Sequence, residues 1–278
     1  MSTVTISAQD INKLRQATGA GMMDCRKALT ETNGDFEAAI DWLRKQGQKV
    51  AAKRSDREAK EGVVIAQTSA DGTTGFVVCI SCETDFVSKN ADFVAFAQSI
   101  ADAAVAKNVK SIDELNEVIV NGAKVADLIN DKLAAIGEKI GISKFERVEA
   151  PYVASYIHGA NRMGVLVGLS KEAAEAGKDV AMQIAAMNPV AVDPESVPAD
   201  VVTRERDIIV DLMKQDPKMA GKPDEMISKI AEGKMNAFFK EQTLLAQPFV
   251  KDASKSVGDY LKSAGDVKVT EFKRVALG

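Results

Sequence analysis

Two cysteines spaced as C-x-x-C, Cys79 and Cys82, are the first candidates for redox chemistry or metal binding in this sequence. Redox motifs of this spacing normally open a helix, and zinc sites normally need a second pair of ligands. Cys79 lies instead in an apolar run, residues 76–80, that predicts a strand, and residues three apart on a strand point to opposite faces. The sequence has no second pair, so we interpret both cysteines as small buried hydrophobic residues.

Few other residues suggest acid–base or phosphate chemistry. His158 is the only histidine, the close acids Glu83 and Asp85 stand without other glycosidase features, and no Walker loop or G-x-G-x-x-G run is present. His158 lies in a predicted hairpin turn, where its ring either bonds to the backbone or contacts a partner. We therefore predict a protein that is not an enzyme and uses neither a cofactor nor a metal ion. An enzyme that uses His158 or the two cysteines is the alternative.

The composition limits the class of partner. The chain has 278 residues, enough for more than one domain, and a net charge of −4. Direct binding to nucleic acid is not expected, because that affinity comes largely from basic contacts to phosphate. No apolar run is long enough to span a membrane, and no signal-peptide pattern follows Met1. An odd number of cysteines, three, favours a reducing compartment, so we expect a cytoplasmic protein without membrane association.

Residues 1–48 predict an N-terminal module of three short helices. Ser7 and Asp10 have the spacing of a capping box, which starts the first helix. The second helix covers residues 22–32, and the third ends near Gly47. A compact three-helix module of this size resembles a ubiquitin-associated domain, and such small modules usually bind a partner.

Two adjacent methionines, Met22 and Met23, open the second helix of this module. Methionines at such positions are commonly part of the core. Their flexible side chains also suit an adaptable contact surface, so both interpretations stay open.

After the module, residues 49–61 alternate basic and acidic side chains, which predicts a solvated helical linker.

The rest of the chain predicts a duplicated antiparallel α+β core. Two units each contain a β-hairpin, a helix, a second helix and a final strand. Their final strands share the pattern Phe-charged-Arg-Val at residues 145–148 and 272–275. The second helices are predicted at residues 124–140, ended by Gly141, and at residues 254–264. The first unit covers residues 62–150, and the second covers residues 151–189 and 248–278.

Residues 190–247 interrupt the second unit with two charged amphipathic helices. Pro217 and Pro223 separate the helices, because proline breaks a helix. The pattern predicts an antiparallel helical hairpin that projects from the core. The hairpin is either a structural decoration or a contact with a partner or a second copy.

Residues 82–88 form a turn between the predicted strand at 76–80 and a predicted helix at 90–106. Phe86 stands in this turn between an acid and a valine. A large apolar side chain is usually buried, in which case Phe86 packs beneath the following helix. The alternative is that the turn presents Asp85 and Phe86 to a partner.

Four motifs together resemble the signatures of the bacterial translation elongation factor Ts family. They are LRQATGAGMMDCRKAL at residues 14–29, TDFV at residues 84–87, YIHG at residues 156–159 and QPFV at residues 247–250. Their order and spacing agree with that family across nearly the whole chain. The resemblance implies nucleotide exchange on elongation factor Tu, the GTPase that delivers aminoacyl-tRNA, through binding to its GDP-bound and nucleotide-free forms.

The resemblance also implies roles for particular residues. The turn residues Thr84, Asp85, Phe86 and Val87 would act at the nucleotide domain of Tu, near its magnesium site. The N-terminal residues Arg15, Met22 and Met23 would contact a helix of the same domain. His158 and Gly159 would engage Tu from the core.

Further implications concern assembly. The helical hairpin corresponds to a projecting coiled-coil element of the family, and it pairs two copies of the chain, pairs two complexes with Tu, or does neither. Some family members carry another helical module after the last strand, whereas this sequence ends at Gly278, so a different affinity or geometry toward Tu is expected. A competing function is an adaptor that binds a partner through the N-terminal module without changing nucleotide release.

Overall fold

The computed structural model describes residues 6–54, 56–217 and 222–278, and these form a mixed α+β protein with antiparallel sheets. Residues 1–5 of the predicted module, Ser55 of the predicted linker and residues 218–221 of the predicted hairpin lie outside this description. The helices are α1 (Ala8–Thr18), α2 (Met22–Glu31), α3 (Phe36–Lys53), α4 (Asp85–Ser88), α5 (Ala91–Lys107), α6 (Ile112–Glu117), α7 (Val125–Ile136), α8 (Ala174–Met187), α9 (Ala199–Gln215), α10 (Asp224–Gln242) and α11 (Val257–Ser263). The strands are β1 (Glu61–Thr68), β2 (Thr74–Cys82), β3 (Ile119–Val120), β4 (Ala123–Lys124), β5 (Gly141–Glu149), β6 (Tyr152–His158), β7 (Met163–Leu169), β8 (Pro248–Phe249), β9 (Asp252–Ser256) and β10 (Val269–Ala276). No helix in the described ranges has the length and apolar character needed to cross a membrane.

Helices α1, α2 and α3 pack around a small core of their own. Ser7 forms the predicted capping box, with its hydroxyl accepting the Asp10 N–H at 3.1 Å. Gly19 ends α1 in the left-handed conformation, with φ at 69°. Leu14 and Cys25 are buried at the centre of the three helices. The first helices therefore begin and end where the sequence pattern predicts.

The third helix is longer than predicted, because α3 continues to Lys53 instead of ending near Gly47. A Cβ atom at position 47 would lie 2.8 Å from the Ala134 Cβ atom on α7. Gly47 therefore permits close packing of α3 on α7, and its glycine marks a contact between helices and not the end of one. The last part of α3 occupies the start of the stretch predicted as a linker, residues 49–61.

The first sheet has the strand order β1-β2-β5, and all its pairs are antiparallel. Glu61 at the start of β1 lies opposite Cys82 at the end of β2. Helices α5 and α7 cover one face of this sheet, where Phe93 and Ile100 pack with Phe76 in the largest apolar cluster. β2 is the central strand and is buried along its whole length.

The second sheet has the order β10-β7-β6 and is covered by α8. Its other face shares an apolar layer with the first sheet, in which Val64 and Val77 pack with Leu166 and Val275. Close approach of the two sheets requires glycine at position 164 on β7, because a Cβ atom there would lie 2.9 Å from a methyl group of Val64 on β1. The two sheets thus form one continuous core.

The inserted segment contains α9 and α10, which pack against each other. Their contact buries Ile209 and Met213 of α9 against Ala231 and Met235 of α10. The pair forms its own apolar cluster, separate from the sheets. Each helix begins and ends within two residues of its predicted bounds.

Two predicted helix boundaries in the core are wrong. α7 ends at Ile136, because Gly137 adopts the left-handed conformation with φ at 78°, and the predicted terminator Gly141 begins β5 instead. The helix predicted to start at residue 254 starts at Val257, because the Ser256 hydroxyl caps it by accepting the Asp259 N–H. Residues before that cap belong to β9.

Candidate functional site

The chain turns sharply after β2, and this turn presents Phe86 to solvent. Thr84 is the N-cap of the one-turn helix α4, and the Asn90 side chain then caps α5 by accepting two backbone N–H groups. The Phe86 ring is 85% exposed. The interpretation in which Phe86 packs beneath its own helix is therefore wrong. Val87, in contrast, is partly buried and packs against the core.

Asp85 stands beside the exposed ring as a charged group. Its carboxylate lies 2.7 Å from the Lys89 Nζ atom, one helical turn away. The hydrogen bond and the positive charge of Lys89 lower the pKa of Asp85. The 84–87 corner (Thr84, Asp85, Phe86 and Val87) therefore presents a carboxylate and an aromatic ring side by side.

Glu138 holds the start of this corner from the loop after α7. Its carboxylate accepts the backbone N–H groups of Glu83 and Thr84, at 3.1 and 3.0 Å, and the Thr84 hydroxyl at 2.7 Å. No sequence pattern indicates this role of Glu138, because its contacts join residues that are 54 and 55 positions apart. In the sequence, Gly137 indicates that a helix ends and a loop begins directly before Glu138.

Glu83 makes a second set of contacts next to this one. Its carboxylate accepts the Lys139 backbone N–H at 2.6 Å and pairs with the guanidinium groups of Arg54 and Arg57, at 2.9 and 3.0 Å. The Lys139 N–H, together with the two arginines, lowers the pKa of Glu83 to about 2. The predicted linker therefore contacts the residue before the corner.

The N-terminal module exposes the residues that the family resemblance selects. Met22 and Met23 are 52% and 74% exposed, so their interpretation as core residues is wrong. Arg15 is also exposed, on the last turn of α1. Leu14 and Cys25 fill the core of the module instead.

A groove of about 900 Å³ is lined by the N-terminal module, the 84–87 corner and helices α5 and α7. Gly19, Ala20 and Trp42 line it from the module, and Phe86 and Val87 line it from the corner. The fold therefore brings two sequence motifs that are far apart in the chain to the lining of one groove. Arg15, Met22 and Met23 are not among the residues that line it.

His158 lies at the exposed end of β6, followed by Gly159 in the left-handed conformation with φ at 62°. Its Nδ1 atom lies 3.0 Å from the Tyr156 hydroxyl oxygen, so its observed partner is a side chain. The 158–162 turn is joined to β1 by an ion pair of 2.9 Å between Arg162 and Glu61. Since Glu61 lies opposite Cys82, the turn and the 84–87 corner share one end of the first sheet.

The C-x-x-C cysteines lie on opposite faces of β2, as predicted. Cys79 packs in the layer between the sheets, and Cys82 packs in the cluster under α5. Burial raises the pKa of Cys82 to about 12, and its thiol donates to the Thr84 carbonyl oxygen at 3.2 Å. Within the described residues, no group of three or more His, Cys, Asp or Glu side chains is placed to hold a metal ion.

Comparison with known proteins agrees with the motifs. A family model described as elongation factor TS matches residues 83–278. The chain is 49% identical over 277 residues to elongation factor Ts of Christiangramia forsetii, covering 98% of this chain and 99% of that protein. It is 48% identical to elongation factor Ts of Flavobacterium psychrophilum, covering 99% of each, and 43% identical to elongation factor Ts of Methylococcus capsulatus, covering 99% and 93%. The chain belongs to the elongation factor Ts family.

Proposed function

We propose that this chain is a guanine-nucleotide exchange factor for elongation factor Tu in translation elongation. Family membership supports the partner and the activity. The observation that carries the proposal is the exposed Phe86 ring next to the charged Asp85, both on the one-turn helix that follows a fully buried strand. The chain binds Tu in its GDP-bound form and promotes release of GDP.

Exchange requires no covalent step, so this factor acts by binding and not as an enzyme. It must bind nucleotide-free Tu more tightly than Tu with GDP, and by linkage GDP then weakens the binding of the factor by the same ratio. A ratio of about 10⁴ corresponds to about 5.5 kcal/mol of differential binding free energy. Burial of one phenylalanine side chain supplies about 1.5–3 kcal/mol. Phe86 therefore acts together with other contact surfaces.

The residues of the corner have distinct roles in this proposal. Phe86 inserts into the nucleotide domain of Tu and displaces its side chains. Asp85, held in its charged form by Lys89, perturbs the polar groups around the magnesium ion of Tu. Thr84, bound to Glu138, and Val87, packed on the core, keep the two outer residues in place.

Two further surfaces supply the remaining binding free energy. Arg15, Met22 and Met23 form an exposed patch on the N-terminal module, and the two methionines adapt their shape to an apolar partner surface. His158 and Gly159 add a contact at the end of the first sheet that also carries the corner. All three surfaces bind Tu, with neither a membrane nor nucleic acid as a direct partner.

We also propose a domain organisation and a cellular location. The three N-terminal helices form a ubiquitin-associated-like module, and the two sheet units arose by duplication, which their shared order of elements supports. The proposed bounds are residues 1–53 for the module, whose third helix ends at Lys53, 54–60 for the linker, 61–150 and 151–189 with 248–278 for the core, and 190–247 for the hairpin. The protein acts in the cytoplasm, and its hairpin is the surface through which any dimer or two-by-two complex with Tu forms.

A stopped-flow assay of GDP release from Tu tests this function. The wild-type chain accelerates release, and the Asp85→Ala, Phe86→Ala double variant remains folded but loses most of that acceleration. Ile119→Ala is the matched control, because Ile119 is also an exposed large apolar residue but lies on β3. Binding to Tu without any acceleration by the wild-type chain would identify an adaptor instead, and near-wild-type acceleration by the double variant would remove the role of the corner.

A further inference from the structure

Glu138 makes three hydrogen bonds to Glu83 and Thr84, where the 84–87 corner begins. Its carboxylate receives all three hydrogen-bond donors of two consecutive residues: the Glu83 N–H, the Thr84 N–H and the Thr84 hydroxyl. Thr84 is the N-cap of α4, yet its hydroxyl donates to Glu138 and makes no capping bond to that helix. The start of the corner is therefore fixed by a side chain from another element.

The contacts between the two segments are reciprocal. Glu138 accepts from the backbone at Glu83, while the Glu83 carboxylate accepts the backbone N–H of Lys139, the neighbour of Glu138, at 2.6 Å. Arg54 and Arg57, which follow α3, bind the same Glu83 carboxylate. Three parts of the chain thus meet directly before the residues that act on the partner.

We propose that Glu138 is a positioning residue for nucleotide exchange, which keeps Thr84 and the corner after it in the orientation that exposes Phe86. This inference rests on the proposed function. A segment that must become ordered on binding opposes association, because its conformational freedom is lost at that moment. Glu138 removes this loss by fixing the corner before the partner arrives.

The test measures stimulated GDP release at limiting factor concentration, where the rate depends on association, for Glu138→Ala, Glu138→Gln, Phe86→Ala and the Glu138→Ala, Phe86→Ala double variant. Glu138→Ala lowers the rate roughly tenfold, because three donors lose their acceptor. Glu138→Gln recovers most of the rate, since its amide oxygen accepts the two backbone N–H groups and its NH₂ group donates to the Thr84 hydroxyl oxygen. In the Phe86→Ala background, loss of Glu138 has little further effect, because both changes disable the same element.

Two further measurements separate positioning from general destabilisation. Glu114→Ala is the matched control, because Glu114 also accepts a backbone N–H, from Lys110 at 2.7 Å, but lies on α6. This control leaves stimulated release unchanged. Hydrogen exchange followed by NMR shows faster exchange of the Glu83 and Thr84 amides in Glu138→Ala and near-wild-type exchange in Glu138→Gln.

The outcomes distinguish this inference from the proposed function. If the wild-type chain does not accelerate GDP release, the proposed function fails and the positioning role falls with it. If the wild-type chain accelerates release but the Glu138 and Phe86 effects are additive, only the positioning role is overturned. Unchanged exchange of the Thr84 amide in Glu138→Ala likewise overturns it.

Discussion

Phe86 and Phe93 stand on successive helices and have opposite environments. The Phe86 ring is 85% exposed on α4, whereas Phe93, on the first turn of α5, is 1% exposed and packs under the sheet. Asn90 lies between them and caps α5 with its side chain, which fixes where the second helix begins. One short segment therefore contains both an exposed aromatic residue and a core residue.

Substituting these two rings should separate activity from stability. Phe86→Ala changes the free energy of unfolding by no more than about 0.5 kcal/mol, because its ring is already in solvent. Phe93→Ala lowers it by about 3–5 kcal/mol, because it leaves a cavity under the sheet. Urea denaturation measures both values, and GDP release from Tu shows the loss of activity for Phe86→Ala. A large loss of stability in Phe86→Ala would contradict the exposed position.

The packing of α3 on α7 predicts the effect of adding one methyl group. A Cβ atom at position 47 would lie 2.8 Å from the Ala134 Cβ atom and 3.3 Å from the Asn130 carbonyl oxygen. Gly47→Ala should therefore force the two helices apart, lower the free energy of unfolding by about 1–3 kcal/mol and weaken binding to Tu. Urea denaturation and binding titrations measure these changes.

Gly233→Ala is the control for that substitution. Gly233 lies within α10, and a Cβ atom there would meet no other atom within 4 Å. The same change should stabilise the protein by about 0.5–1 kcal/mol, because alanine favours the helix over glycine. Equal effects of the two substitutions would show that helix preference, and not the contact with α7, governs position 47.

The carboxylate of Glu83 should make stability depend on pH in the acid range. The pKa of Glu83 is lowered from 4.5 to about 2 in the folded protein. The charged form is thus favoured by folding, so its contribution to stability is complete above pH 4.5 and is lost as the pH falls toward 2. Urea denaturation of the wild type and of Glu83→Gln, between about pH 2 and pH 4.5, measures this contribution to the free energy of unfolding. The difference in unfolding free energy should shrink as the pH falls, and a constant difference would contradict the assigned contacts.

The three thiols should be unreactive in the folded protein. Cys25, Cys79 and Cys82 are buried, and burial raises the pKa of each thiol, that of Cys82 to about 12. Because the thiolate is the reactive form, a disulfide reagent at pH 8 should label the native chain slowly. After denaturation in guanidinium chloride, all three should react at once. Rapid labelling of Cys79 or Cys82 in the native chain would instead support the alternative that the protein is an enzyme that uses these cysteines.

Sequence patterns located the elements well where the local signal and the tertiary contact agree. The capping box at Ser7 and the helix predicted at residues 90–106 each depend on residues close together in the chain, and both predictions are confirmed. Gly47 misled the prediction, because a glycine that ends a helix and one that admits a neighbouring helix look the same in sequence. The predicted start of α11 is too early, because the short strand β9 occupies the preceding residues.

The candidate site was predictable only in part. Phe86, Met22 and Met23 could be named from motifs, but the pattern left open whether they are buried, and only the fold decides this for each side chain. Glu138 could not be named, because its partners lie far away in the chain. Local patterns identify candidate contact residues, whereas the side chains that hold them in place depend on which loops the fold brings together.

β2 is buried along its full length, which makes the strand a rigid support for the turn that follows it. The strand ends at Cys82, with only Glu83 between it and the 84–87 corner, and has α5 packed on one face and the second sheet behind the other. The corner after it therefore starts from a support that yields little, because close-packed interiors have low compressibility. We expect most of any adjustment of shape at a contact with the Phe86 ring to fall on the molecule that binds it.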